Sequence, residues 1–264
     1  MSKMSTRRKL AIASWSAPKE GNIYGKLTID AGNAQTYLDE LRKTSGEKVT
    51  ITHLIGKAVA EALKQEPSLN GRISFGRFIP HNTVDISFLV AMEGGKDLAK
   101  AKVVNADQKS VVEIARELRE SAERLRQGKD LAFEKSKGPL KFLPTWLIRP
   151  LVAFTGYLTG SLGLNLKGLG LEAFPFGTCI ITSVGMLGVD EGFAPPTPWA
   201  HVPVYVMVGA IKEQPAVVNG QVVPRPLLTL TATIDHRFVD GFQLGTLAKV
   251  LRQVLDDPWT ADKK

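Results

Sequence analysis

TATIDHRFVDGFQLG, residues 231–245, joins two periods within fifteen positions. Apolar and polar side chains alternate up to Ile234, the mark of a half-buried strand. From Val239 onward Phe242, Leu244, Leu247, Ala248, Leu251 and Leu255 recur at helical spacing until Pro258. Between the two lie His236, Asp240 and Gly241. A histidine at a strand end is held by the strand yet reachable from the loop, which suits proton transfer. For an isolated histidine, a ring satisfied within a turn is the ordinary alternative, so the neighbours decide.

Working outward, 227–234 (LLTLTATI) is the strand that delivers His236, and Asn219-Gly220 upstream marks a tight hairpin needing positive backbone dihedrals. Further apolar segments at 177–184 and 202–209 read as strands, as do 23–30, 71–79 and 84–92. Helices are expected at 33–43, after the cap Thr50 (Ile51, Leu54, Ile55, Ala58, Val59, Ala62, Leu63), at 107–127 (Val111, Ile114, Ala115, Leu118, Ala122, Leu125) and at 239–255. Strands and helices mix without strict alternation, which predicts an α+β fold with a mixed sheet. From Lys135 to Gly170 the chain turns basic and apolar, and no period dominates.

With 264 residues, 44% of them apolar, the chain can bury the core of a single domain, 1–264. A net charge of +8 suggests an anionic partner without naming it. The single cysteine, Cys179, excludes an internal disulfide, and with four histidines it argues against a metal cluster. The N-terminal MSKMSTRRKLAIASW has no apolar run fit for a signal peptide, so a reducing cytoplasm is the expected location.

DHRFVDG, with its preceding strand and following helix, resembles the active-site signature of the 2-oxoacid dehydrogenase acyltransferase catalytic domain, whose His-x-x-x-Asp-Gly the chloramphenicol acetyltransferases share. Other stretches match in order: TRRKLA, VTITHLIGKAVAEALKQEPSLNGRI, VDISFLVA, ADQKSVVEIARELRESAERLRQG, CIITSVGMLGVDEGF and PAVVNGQVVPRPLLTLTATIDHRFVDG. The resemblance spans nearly the whole chain except about 130–170. It implies a chloramphenicol acetyltransferase-like two-layer sandwich with a mixed β-sheet and packed helices, and an active site at a trimer interface.

It also implies transfer of an acyl group between a thioester and a thiol, coenzyme A and dihydrolipoyl in the usual case. A thiol with an ordinary pKa of about 8.5 is mostly protonated at neutral pH, and an imidazole can take its proton as it attacks. By resemblance His236 is that base. Thr182 is the hydroxyl donor to the oxyanion; Ser183 alternates to the other strand face. Asp240, beside Gly241, orients the loop by pairing with Arg7 or Arg8, between which spacing does not choose. His53, His81 and His201 lack any motif and read as structural or surface residues. The positive charge fits the phosphates of coenzyme A as well as it fits nucleic acid, and no nucleic-acid module is recognisable.

The chain departs from the family in three places. Large members carry a lipoyl domain, linkers and a subunit-binding domain ahead of the catalytic one; here a lipoyl group is expected from another chain, or a free acyl thioester serves. The ending DDPWTADKK is polar apart from Trp259, which predicts a homotrimer rather than a larger cage. The loop VDEGFAPPTPWAHVP lacks the family's asparagine element. The apolar run 151–166 is short of the ~20 residues that span a bilayer. It is expected to form helices that cover the trimer or narrow the substrate entrance, with membrane contact through 141–167 the lesser alternative. A non-catalytic trimeric scaffold is the alternative function, and any acyl-coenzyme A turnover would count against it.

Overall fold

The computed structural model describes residues 6–15, 21–92, 97–127 and 143–262. Eight strands and six helices are described: α1 (Thr6–Ser14), β1 (Asn22–Asp30), α2 (Gly32–Ser45), α3 (Ile51–Gln65), β2 (Gly71–Ser74), β3 (Arg77–Pro80), β4 (Ile86–Met92), β5 (Asp97–Val103), α4 (Val111–Arg126), α5 (Thr145–Gly156), β6 (Cys179–Ser183), β7 (Val204–Val218), β8 (Gln221–Asp235) and α6 (Gly241–Asp256). Six strands form one mixed sheet in the order β1-β8-β7-β6-β4-β5. Strand β6 is parallel to both β4 and β7; the other ladders are antiparallel.

Strand alternation divides the sheet into two faces. Ile181, Val206, Val208, Leu228, Leu230 and Ile234 point toward α2, α3, α4 and α6 and share one core with Leu54, Ile55, Ile114 and Leu247. The opposite face carries Ile180, Thr182, Tyr205, Met207, Thr231 and Lys26. There a smaller cluster of Ile180, Ala200, Val202 and Tyr205 forms under the 190–202 segment. This is the α+β two-layer arrangement that the sequence predicts.

Helix starts follow local hydrogen-bond chemistry. Ser110 caps α4 by accepting from the Glu113 amide at 3.2 Å while its own amide donates to Glu113 Oε2 at 2.7 Å. Thr50 and His53 form the corresponding box on α3, the Thr50 amide donating to His53 Nδ1 at 3.1 Å. Each such cap is worth ~1 kcal/mol. Gly56 lets α3 press onto β4, since a Cβ there would stand 2.4 Å from the Phe88 ring.

The strands differ from the sequence reading in three places. The expected strand 71–79 is a two-stranded hairpin, β2–β3, turned at Phe75 and Gly76 with φ of 49° and 70°. Strand β5 was not expected at all. Strands β7 and β8 run to the Asn219-Gly220 turn, both residues at positive φ, so the hairpin is an arm longer than 202–209 and 227–234 suggest. Of the atypical 130–170 stretch, 130–142 lies outside the described residues. The remainder holds α5, a π turn at Tyr157–Ser161 and a short turn at Lys167–Leu169.

Candidate active site

The loop that follows β8 is built so that His236 stands clear. Its backbone amide donates to the Gly21 carbonyl at 3.0 Å, tying the loop to the lead into β1. On either side of it, Arg237 holds Asp235: Arg237 Nε bonds Oδ1 and Oδ2 at 3.0 Å each, and Nη2 bonds Oδ2 at 2.6 Å. Phe238 turns inward against Phe78 of β3, ring centroids 6.1 Å apart. The His236 side chain is exposed. Backbone, ion pair and aromatic contact therefore fix the loop without enclosing the imidazole.

Asp240 begins α6. Its Oδ1 accepts from the Phe242 amide at 2.9 Å, and its amide donates to Gln243 Oε1 at 2.9 Å. Asp240 is thus the helix cap, and Gly241 is the first helical residue, with nothing within 4 Å of the place a Cβ would take. Arg7 and Arg8 lie on the first turn of α1; their side chains lie outside the described residues.

Thr182 sits on β6 opposite Met207, and Ser183 opposite Val208. Val208 is fully buried in the helix-side core, so Ser183 shares that face and Thr182 takes the other. The row across that face runs Thr182, Met207, Thr231, Lys26. A strap from the 190–193 loop crosses its far end: Asp190 pairs with Lys212 at 2.5 Å, Glu191 with Lys26, the Gly192 carbonyl accepts from Thr231 Oγ1, and Phe193 meets Tyr24 edge-on at 5.4 Å. Thr182 lies at the other end, half-buried. Among the described residues its hydroxyl has no hydrogen-bond partner.

Within one chain the two side chains do not meet. Thr231 aligns with Thr182 two strands across, and His236 follows five residues further on. At ~3.3 Å per residue and ~4.8 Å per strand, that places them roughly 19 Å apart. A cleft of about 530 Å³ between α3, α6 and the C-terminal turn, lined by Glu61, Gln65, Gln253, Asp256 and Asp257, touches neither.

Two of the other histidines, His53 and His81, are withdrawn into the packing. Burial and the nearby Arg42 hold His53 down at about 4, and burial with Arg72 does the same for His81, which packs on Phe174 at 4.5 Å. Burial raises the Cys179 thiol well above its usual range and leaves it unreactive. Among the described residues no group of histidine, cysteine and carboxylate side chains could hold a metal. The Asp235–Arg237 pair, the Gly21 tie and the 190–193 strap escape sequence reading; of these only the two-residue spacing of Asp235 and Arg237 leaves a trace in the sequence.

The mixed six-stranded sheet with helices on one face and an exposed loop histidine is the chloramphenicol acetyltransferase-like architecture. The solved structure of a chloramphenicol acetyltransferase superposes with TM-score 0.52 at 12% identity, covering 96% of each chain. A probable dihydrolipoamide acetyltransferase from Listeria monocytogenes superposes with TM-score 0.69 at 22% identity, covering 95% of this chain and 89% of the other. The model of the 2-oxoacid dehydrogenases acyltransferase catalytic domain matches residues 7–138 and 167–261, and the chain belongs to that family. Curated relatives include the succinyltransferase components of the 2-oxoglutarate dehydrogenase complexes of Schizosaccharomyces pombe, 29% identical, and Saccharomyces cerevisiae, 30% identical. Each alignment covers 84% of this chain but 40% and 39% of the relative. The chain thus spans under half the length of the curated relatives it matches.

Proposed function

We propose that residues 1–264 act as one catalytic domain that moves an acyl group between coenzyme A and a second thiol, dihydrolipoyl or a related acceptor. The observation that carries this reading is an exposed, backbone-fixed His236 and a half-buried Thr182 hydroxyl without a hydrogen-bond partner among the described residues, both on a family frame that supports the chemistry. The roughly 19 Å between them within one chain calls for a second copy to close the site. A homotrimer, in which one copy's His236 faces its neighbour's Thr182, meets that need with three equivalent sites.

In such a site the imidazole takes the proton of the attacking thiol as its sulfur bonds to the thioester carbonyl carbon. The carbonyl π electrons move to oxygen, and the Thr182 hydroxyl donates to the resulting oxyanion. Collapse breaks the bond to the departing sulfur, which recovers the proton from the imidazolium. Asp240 acts only by fixing the start of α6 and thereby the loop. Structural work on Azotobacter vinelandii dihydrolipoamide acetyltransferase concerns a serine, a histidine and an asparagine in its catalysis. The histidine and asparagine stand four positions apart there, as His236 and Asp240 do here.

A screen of acyl-coenzyme A thioesters read by thiol release, with and without dihydrolipoamide, tests the proposal. Turnover with at least one acyl donor is expected. No turnover with any donor, by a protein of intact fold and assembly, would favour the non-catalytic scaffold.

A further inference from the structure

A surface helix in water turns polar residues outward; α5 does not. Its inner side, with Ile148 and Gly156 buried, packs on the Pro198–Ala200 turn so closely that a Cβ on Gly156 would stand 2.2 Å from the Trp199 carbonyl oxygen. Its outer side carries Trp146, Leu151, Phe154 and, just beyond its end, Tyr157, exposed by 73%, 41%, 61% and 40%. Trp146, Pro150, Phe154 and Tyr157 recur at i, i+4, i+8 and i+11, which makes one stripe.

Helix α1 lies alongside. The Arg149 guanidinium donates to the carbonyls of Ile12, Ala13 and Trp15 at 2.7–3.3 Å, neutralising the negative end of α1. Ile12 and Trp15 remain half-exposed beside it. Charge divides along the sequence in the same way. Residues 1–19 and 135–171, which contain α1 and α5, hold ten of the 34 lysines and arginines and none of the 26 aspartates and glutamates. The rest of the chain, with 24 basic and 26 acidic residues, is slightly acidic, so the entire positive excess falls in the two sequence segments that contain α1 and α5. The family match omits 139–166, the stretch that contains α5.

We propose that the α1–α5 face rests on an anionic lipid surface, with Trp146, Phe154 and Tyr157 entering the headgroup layer and the basic sequence segments that contain α1 and α5 supplying the attraction to lipid phosphates. Tryptophan and tyrosine favour that layer because each joins an apolar ring to a polar edge. The twelve residues of α5 span about 18 Å, well short of the ~30 Å hydrocarbon core, so the helix lies on the bilayer rather than across it. No described helix is long and apolar enough to cross a membrane. A face-to-face contact between two copies would set the same positive charges against each other, which favours lipid over a second copy.

Flotation with vesicles of phosphatidylcholine alone and of phosphatidylcholine mixed with phosphatidylglycerol tests this. The protein is expected to float with the mixed vesicles only, and less so at high salt. The exposed pair Trp146→Ser/Phe154→Ser should cut partitioning about tenfold or more, with solution mass and thermal midpoint unchanged. His236→Ala should float as the parent does, which separates this proposal from acyl transfer. Absence of flotation, equal binding to both vesicles, or undiminished binding by the double variant would overturn it. So would a changed solution mass of the double variant, which would assign the face to a subunit contact.

Discussion

His236 and Gly21 are joined through their backbones, the amide of one donating to the carbonyl of the other at 3.0 Å, while the imidazole itself stays exposed. The loop therefore keeps its shape when the ring is removed. His236→Ala should lower kcat/KM by ~10²–10⁴, the usual contribution of a general base, and leave the thermal midpoint within about a degree of the parent. Calorimetry beside the thiol-release assay checks both; a large fall in midpoint would make the ring structural.

Asp240 separates capping from charge. Asparagine caps helices as well as aspartate does, so Asp240→Asn should keep the stability of α6, whereas Asp240→Ala should lose ~1 kcal/mol. Denaturant midpoints of the two variants read the difference. Equal losses would mean that a charge partner, rather than the Phe242 amide, holds the carboxylate.

Acid should weaken the fold before any carboxylate titrates. The folded pKa of His53, about 4, lies below the unfolded value near 6.5, so between these pH values the unfolded chain binds more protons and stability falls as pH falls. The loss from His53 is complete below the folded value and reaches about 3 kcal/mol, with His81 adding in the same direction. In His53→Gln the slope of stability against pH from 7 to 4 should flatten; an unchanged slope would exclude this histidine.

Gly56→Ala probes the contact of α3 on β4. The Phe88 ring it would strike is 3% exposed and has nowhere to go. A destabilisation of ~1–3 kcal/mol is expected despite the better helix propensity of alanine. A rise in midpoint would show that the ring can shift.

What sequence reveals and hides follows from these same residues. The helices and the strand leading to His236 are legible because burial on one side imposes a strict period on Leu54, Ile114, Leu230 and Ile234. The β2–β3 hairpin is hidden because its turn places Phe75, a residue without turn preference, in the left-handed region. Strand β5 alternates buried Ala99, Ala101 and Val103 with Lys100 and Lys102, and alanine and lysine are weak strand formers. Pro215, Pro224 and Pro226 obscure the β7–β8 arm for a similar reason. The start of α4 falls at Val111 rather than Asp107, and the Ser110-x-x-Glu113 box marks it. At the site, His236 and the capping role of Asp240 lie in one short segment and can be read there. The strap over Thr231 and Lys26 arises only when residues 26, 191 and 231 meet in three dimensions.

In the proposed site catalysis needs His236 from one copy and Thr182 from another, and mixing two inactive variants tests this requirement. Thr182→Val and His236→Ala proteins, each alone, should lose at least ~10²-fold in turnover. Co-expressed in equal amounts, they should recover about a quarter of parental activity, the fraction of interfaces that pair an intact histidine with an intact threonine in a randomly mixed ring. A mixture no more active than its components, in assemblies shown to contain both chains, would rule out a site shared between copies.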